Sequence, residues 1–419
     1  MRSKSSWARL LAVLLALGLI AAACGDSDDD DAGDDASASS SASASASEPA
    51  DTTATTEAAT EDTEAATEDT EGGGAEEMAG SLTDCPSPLV LQTDWFPEPE
   101  HGALYELIDH SQAEATPDGY SGPLEAEPSI TVEVRAGGFV TNFSSPRDLM
   151  YTSDEVFLGY VTNDEAVSNY EDFPTLAVVA PLEINPQIVQ WDPETYTGIE
   201  SFSDIGATGA IINHFPGAVY MEYLIGTGQV SADQSDPSYD GGPQRFIAEE
   251  GAIFQQGFAT QEPFNYEFEF EEWGRPVDFL LIHDSGYEPY SQTLAIRPDR
   301  LEDPAVVSCL QAFVPEVQRA AVDFMEDPQD ENDAIEAYNF AIDDFWQLSQ
   351  EAMASTVVKM EELGIASNGP DDTIGNFDLD RVEGLIDILR NQVDSIDVPD
   401  DLTAEDIVTN EFIDPTIGR

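Results

Sequence analysis

The chain changes character near Cys85, and that break decides where a fold can exist. Residues 25–35 are dominated by aspartate, and 36–47 are almost pure serine and alanine. EAATEDT then stands twice in tandem, at 57–63 and 64–70, before Gly72, Gly73 and Gly74. The stretch has no aromatic residue and almost no large aliphatic one. It cannot bury enough apolar surface to offset its ordering entropy, and its like charges keep it extended. No leucine or valine occupies a heptad seam, so the seven-residue repeat is not a coiled coil. Residues 24–84 read as an acidic tether and the folded part as 85–419.

Ahead of the tether, Arg2, Lys4 and Arg9 precede an apolar run at 10–23 that ends in Ala21, Ala22 and Ala23. A basic start, a short apolar run and a small-residue end describe a secretory signal, residues 1–23. The run is shorter than a spanning helix needs. Cys24 follows directly. This arrangement resembles the lipobox of bacterial lipoproteins. The resemblance implies cleavage before Cys24 and a lipid on its sulfur. The chain would then be anchored on the extracytoplasmic face of the cell membrane, at about 0.8 kcal/mol per buried CH2. An ordinary signal peptide with an incidental cysteine is the alternative.

The 85 acidic residues against 14 basic ones leave a net charge of -71. No basic stripe is available for nucleic acid or for a polybasic contact with anionic lipid. So large an excess points to saline surroundings. Three cysteines are no disulfide scaffold, and no CxxC pair or HExxH suggests a metal, so neither metal nor cofactor is expected. Cys85 and Cys309 could form a disulfide outside the cytoplasm, two buried thiols being the alternative.

Within 85–419, apolar runs alternate with helical spacing. Strands are expected at 89–94, 129–135, 156–160, 175–180, 209–213, 251–256 and 278–282, with short helices after several of them. That order predicts an α/β fold with mostly parallel sheet. The last third is helical, over 306–324 and 334–363. Val382, Leu385, Ile386, Leu389 and Val393 form one further stripe, a packing face.

Four segments carry a resemblance. The opening strand runs into Asp94-Trp95-Phe96-Pro97-Glu98-Pro99-Glu100-His101. The others are 257–267, with Glu262-Pro263-Phe264; 278–294, with Asp284-Ser285-Gly286-Tyr287 and Tyr290; and 402–414. In this order they resemble the NMT1/THI5-like substrate-binding proteins, with Glu98 where that family usually has Asn. The resemblance implies a type II periplasmic-binding-protein fold, two lobes with two hinge crossovers. Lobe I would comprise 85–190 and return at 284–419 with the C-terminal helices; lobe II would be 191–283. It also implies a monomer that hands a small-molecule ligand to an ABC permease.

Ligands of open α/β sheets bind beyond the carboxyl ends of strands. Three such ends nominate Asp94, Trp95, Phe96, His101 and Tyr105; Asn213, His214 and Phe215; and Thr260, Glu262 and Tyr266. Aromatics suit a flat ring, and a carboxylate accepts from an exocyclic amine or a protonated ring nitrogen. No basic residue lies in these motifs. The resemblance implies a thiamine-precursor aminopyrimidine as the ligand, with an alkanesulfonate, nitrate or riboflavin as alternatives, and the lack of basic residues agrees with the first. The resemblance implies that the enzymes sharing this domain use iron and cysteine-rich chemistry; this chain has no cysteine cluster, so no enzyme is expected. A surface receptor without transport is the other rival.

Overall fold

The computed structural model describes residues 80–342 and 348–419. The signal segment, Cys24 and most of the tether lie outside them. The tether's last residues do not: Leu82–Asp84 form a 3-10 turn, and the Ser81 N–H donates to the Ser308 carbonyl at 3.1 Å. Residues 81–84 thus belong with the fold, and Cys85 is joined to Cys309 by a disulfide.

The strands of the described residues are β1 (Leu89–Gln92), β2 (Glu114–Thr116), β3 (Gly119–Leu124), β4 (Glu127–Arg135), β5 (Val156–Val161), β6 (Leu176–Val179), β7 (Gln187–Trp191), β8 (Ile212–Asn213), β9 (Ser235–Asp236), β10 (Phe254–Phe258), β11 (Asp278–Leu281) and β12 (Thr293–Ile296). They form two sheets, ordered β2-β3-β4-β1-β5-β12-β6 and β11-β7-β10-β8-β9. In the first, β4, β1 and β5 are parallel, whereas β12 runs against both its neighbours. In the second, β7 runs against β10 and β11, while β8, β9 and β10 are parallel. Each sheet therefore holds one strand that arrives from the other lobe and reverses direction.

Two boundaries differ from expectation. Gln187–Trp191 pairs with β10 and β11, so the first crossover falls before Gln187 and not after residue 190. The helical stretch expected at 334–363 is two helices, Gln329–Ala341 and Gln350–Glu362. Ser349 starts the second by accepting from the Ala352 N–H, a cap that helical periodicity alone does not reveal.

All six residues of β5 are buried, as a strand covered on both faces requires. The 23-residue helix Pro304–Glu326 covers one face of the first sheet. Asp303 caps it, Pro304 opens it, and Leu310, Phe313, Val314 and Val317 form its buried stripe. The helix Leu379–Gln392 buries Val382, Leu385, Ile386 and Leu389 at i, i+3, i+4 and i+7. It packs against Asn163–Ser168 of lobe I and Val219–Gly226 of lobe II. No described helix is long and apolar enough to cross a membrane.

Candidate functional site

The carboxyl ends of β1, β4, β8, β9 and β10 converge between the lobes. A cavity of about 230 Å³ opens there, walled by Trp95 from lobe I and by Phe215, Tyr239 and Phe258 from lobe II. The Trp95 and Phe215 rings meet edge to face with centroids 5.8 Å apart, and Phe215 lies 4.8 Å from Tyr239. Gln256 of β10 holds Phe215 in place: its Oε1 accepts from the Phe215 N–H at 3.0 Å and from the Tyr220 hydroxyl at 2.9 Å.

Carboxylates form the rest of the wall. Asp94, Glu98 and Glu262 all line the cavity. Glu98 and Glu262 are 2 % and 7 % exposed, and Glu100, 1 % exposed, lies behind them. The Gln261 amide of lobe II donates to Glu98 Oε2 at 3.0 Å and to Glu100 Oε2 at 2.8 Å. The Thr260 hydroxyl also donates to Glu100. These bonds join the two lobes across the cleft. Glu262 accepts from the Phe258 N–H at 2.7 Å. Gly257 makes room for it, because a Cβ there would lie 2.9 Å from the Glu262 carboxyl carbon.

Burial makes these groups reluctant to ionise. It lifts Glu98 well above the ordinary carboxylate value, with the charges of Glu100 and Asp94 adding to the effect. It raises Glu100 as well, against the opposing bond from Thr260. It pushes Glu262 to about 8, even though the Phe258 N–H favours the charged form.

His101 is fully buried behind the wall, its Nε2 3.2 Å from Asp94 Oδ1 and 3.5 Å from Glu98 Oε1. Gln292 meets the same nitrogen at 3.2 Å from the returning crossover, with its backbone at a positive φ of 51°. A non-glycine residue in that region is held there by its surroundings.

A second chamber, about 630 Å³, adjoins the first and shares Asp94, Gln187, Phe215, Gln256 and Phe258 with it. Arg147 is the only lysine or arginine among the described residues lining either chamber. It is already paired with Asp148 at 2.7 Å and Glu165 at 3.3 Å. Burial still holds Glu165 at about 7 despite that arginine. No group of three or more His, Cys, Asp or Glu among the described residues is arranged to hold a metal ion.

Of the nominated residues, Asp94, Trp95, Phe215 and Glu262 line the cavity, and His101 and Thr260 stand directly behind its wall. Five others do not face it. Phe96 and Tyr105 are fully buried in the core of lobe I. Tyr266 packs with Phe246 and Trp273, and its hydroxyl accepts from the Gln255 amide at 2.8 Å. The Asn213 amide engages the Ser238 hydroxyl at 3.2 Å. Both ring nitrogens of His214 are used locally, on the Phe215 carbonyl and the Ser235 hydroxyl, each at 2.8 Å. Glu98, Glu100, Tyr239, Gln256, Gln261 and Gln292 were not nominated. Only Glu98 carried a signal, as the residue that departs from the resembled motif.

No family model matches the sequence, and no curated protein matches it. Solved structures do. A ligand-binding component of an ABC-type import system from Staphylococcus aureus, crystallised with zinc bound, is 14 % identical with a TM-score of 0.50, over 78 % of this chain and 98 % of that one. A protein from Bordetella bronchiseptica is 12 % identical with a TM-score of 0.49, over 78 % and 96 %. The periplasmic aliphatic sulphonate binding protein SsuA from Escherichia coli is 11 % identical with a TM-score of 0.44, over 65 % and 84 %. Two α/β lobes, a strand exchanged at each crossover and a cleft at the strand ends give this chain the type II periplasmic-binding-protein fold.

Proposed function

We propose that the chain is an extracytoplasmic solute-binding lipoprotein of an ABC importer. Lipid on Cys24 would anchor it, residues 24–79 would tether it, and the lobes would close on a small aromatic, nitrogen-containing ligand. A thiamine-precursor aminopyrimidine is the ligand of choice. One observation carries this reading: the cavity between the lobes is lined both by aromatic rings and by buried carboxyl groups. A pyrimidine would lie against Trp95, Phe215 and Tyr239. Its exocyclic amine would donate to a carboxyl oxygen, and a protonated carboxyl would donate to the adjacent ring nitrogen. A sulfonate or nitrate would meet carboxyl groups on one wall, with Arg147 already engaged by two acids.

A thermal-shift screen on the purified protein in high salt tests the proposal, with hydroxymethyl- and formylamino-pyrimidines, thiamine, riboflavin, taurine and nitrate as probes. A ligand at about 100 times its dissociation constant adds about 2.7 kcal/mol. Stabilisation by a pyrimidine is expected. A shift with taurine or nitrate alone overturns the ligand, and no shift with any probe overturns capture.

A further inference from the structure

The ligand class named above leaves its charge open, and the inference that follows rests on that class being captured in this cleft. Glu98 is 2 % exposed and lines the cavity, yet its Oε1 has no hydrogen-bond partner. His101 Nε2 is 3.5 Å from it and stands closer to Asp94, at 3.2 Å. Asp94 Oδ1 is likewise buried without a hydrogen bond. A buried acceptor left unpaired carries a desolvation cost, which a ligand that satisfies it relieves. Trp95, Phe215 and Tyr239 line the same cavity, and an aromatic ring face is the negative side of its quadrupole. Both walls therefore favour positive charge, and no free basic side chain competes for it.

We infer that the cleft selects a cation: a ligand whose protonated or permanently charged nitrogen sits against the aromatic wall and toward Glu98 Oε1. An amidinium or aminopyrimidinium fits this description, because its paired N–H groups match a carboxylate edge. A neutral ring can still donate an N–H to Glu98 Oε1 but brings no charge to the acidic wall, and an anion meets no free basic side chain among the described lining residues.

The charge has a consequence for protons. The groups that bear on this wall are Asp94, Glu98, Glu100 and His101 from lobe I. From lobe II they are Glu262, Tyr239 and Tyr266. Burial raises Glu98 and Glu100 above the ordinary carboxylate value and pushes Glu262 to about 8. A cation entering the cleft displaces a proton from them, so its affinity rises with pH toward that value and falls as pH drops below it.

Calorimetric titration of the whole protein with benzamidinium and with its neutral isostere benzamide tests the inference. Benzamidinium is expected to bind about tenfold tighter or more, with proton release revealed by buffers of different ionisation enthalpy. In Glu98→Gln the preference shrinks toward one while the melting transition persists. Glu262→Gln serves for the same comparison should Glu98→Gln fail to fold. Equal binding of the two probes overturns the cation assignment and leaves aromatic capture intact. A preference that survives in Glu98→Gln overturns the role of that residue. If neither probe binds, the inference fails. If benzamidinium binds and the pyrimidines do not, the aminopyrimidine proposal fails instead.

Discussion

Replacing Glu262 by glutamine turns the electrostatics of the cleft into a stability measurement. Burial raises this carboxyl from an ordinary value of 4.5 to about 8. Between those values the folded protein holds a proton that the unfolded chain has released. The group therefore costs nothing below pH 4.5, and stability declines progressively as pH rises to 8. At about 1.4 kcal/mol per pH unit, the full window amounts to about 5 kcal/mol. This is an upper figure, because water entering an opened cleft relieves part of it. Glutamine does not titrate, and its carbonyl oxygen still accepts from the Phe258 N–H. Urea unfolding in high salt at pH 4.5, 6 and 8 should show Glu262→Gln level with the parent at pH 4.5. The variant should become more stable by up to about 5 kcal/mol at pH 8. The exposed acidic surface titrates alike in both proteins, so the difference reports Glu262 together with its buried neighbours Glu98 and Glu100. A constant offset across the three pH values, or a variant less stable at pH 8, would refute the reasoning.

Phe96→Ala should destabilise the protein by about 3–5 kcal/mol in chemical denaturation, since that ring is fully buried in the lobe I core. Trp95→Ala, one residue earlier and on the cavity wall, should leave the melting temperature within a few degrees and weaken ligand binding about tenfold or more in a titration. The Cys85–Cys309 bond spans 224 residues, so the chain-entropy relation puts its contribution at about 5 kcal/mol. Unfolding of the double Cys→Ser variant should approach that loss. Gln261→Leu removes the amide that bonds Glu98 and Glu100 across the cleft. Small-angle scattering should give it a larger radius of gyration than the parent, with an unchanged far-ultraviolet spectrum.

Much of the frame was legible in the sequence because burial leaves a pattern. The unbroken apolar run of β6, buried at three of its four residues, and the i, i+3, i+4, i+7 stripe of Leu379–Gln392 point to their partners directly. The hairpin β2–β3 was not legible: Gly119, Gly122 and Pro123 interrupt any alternation, and pairing with β4 supplies the order instead. The site was half legible. Strand ends rich in aromatics located the cleft, but the sequence does not say which of two adjacent rings turns inward. Phe96 went to the core and Trp95 to the cavity. Glu98 and Glu100 were hidden among 85 acids, where a buried carboxyl and a solvated one are written identically. Their distinguishing partner, Gln261, lies more than 160 residues away.

The central claim is that one small aromatic nitrogen ligand is captured between the lobes against Trp95. Calorimetric titration of the protein with the hydroxymethyl-aminopyrimidine, repeated on Trp95→Ala, tests it most directly. The account predicts one site per chain with a dissociation constant of about 1 μM or tighter, near -8 kcal/mol, and a large loss of affinity in the variant at unchanged fold. Absence of binding, or binding undiminished in Trp95→Ala, would contradict it.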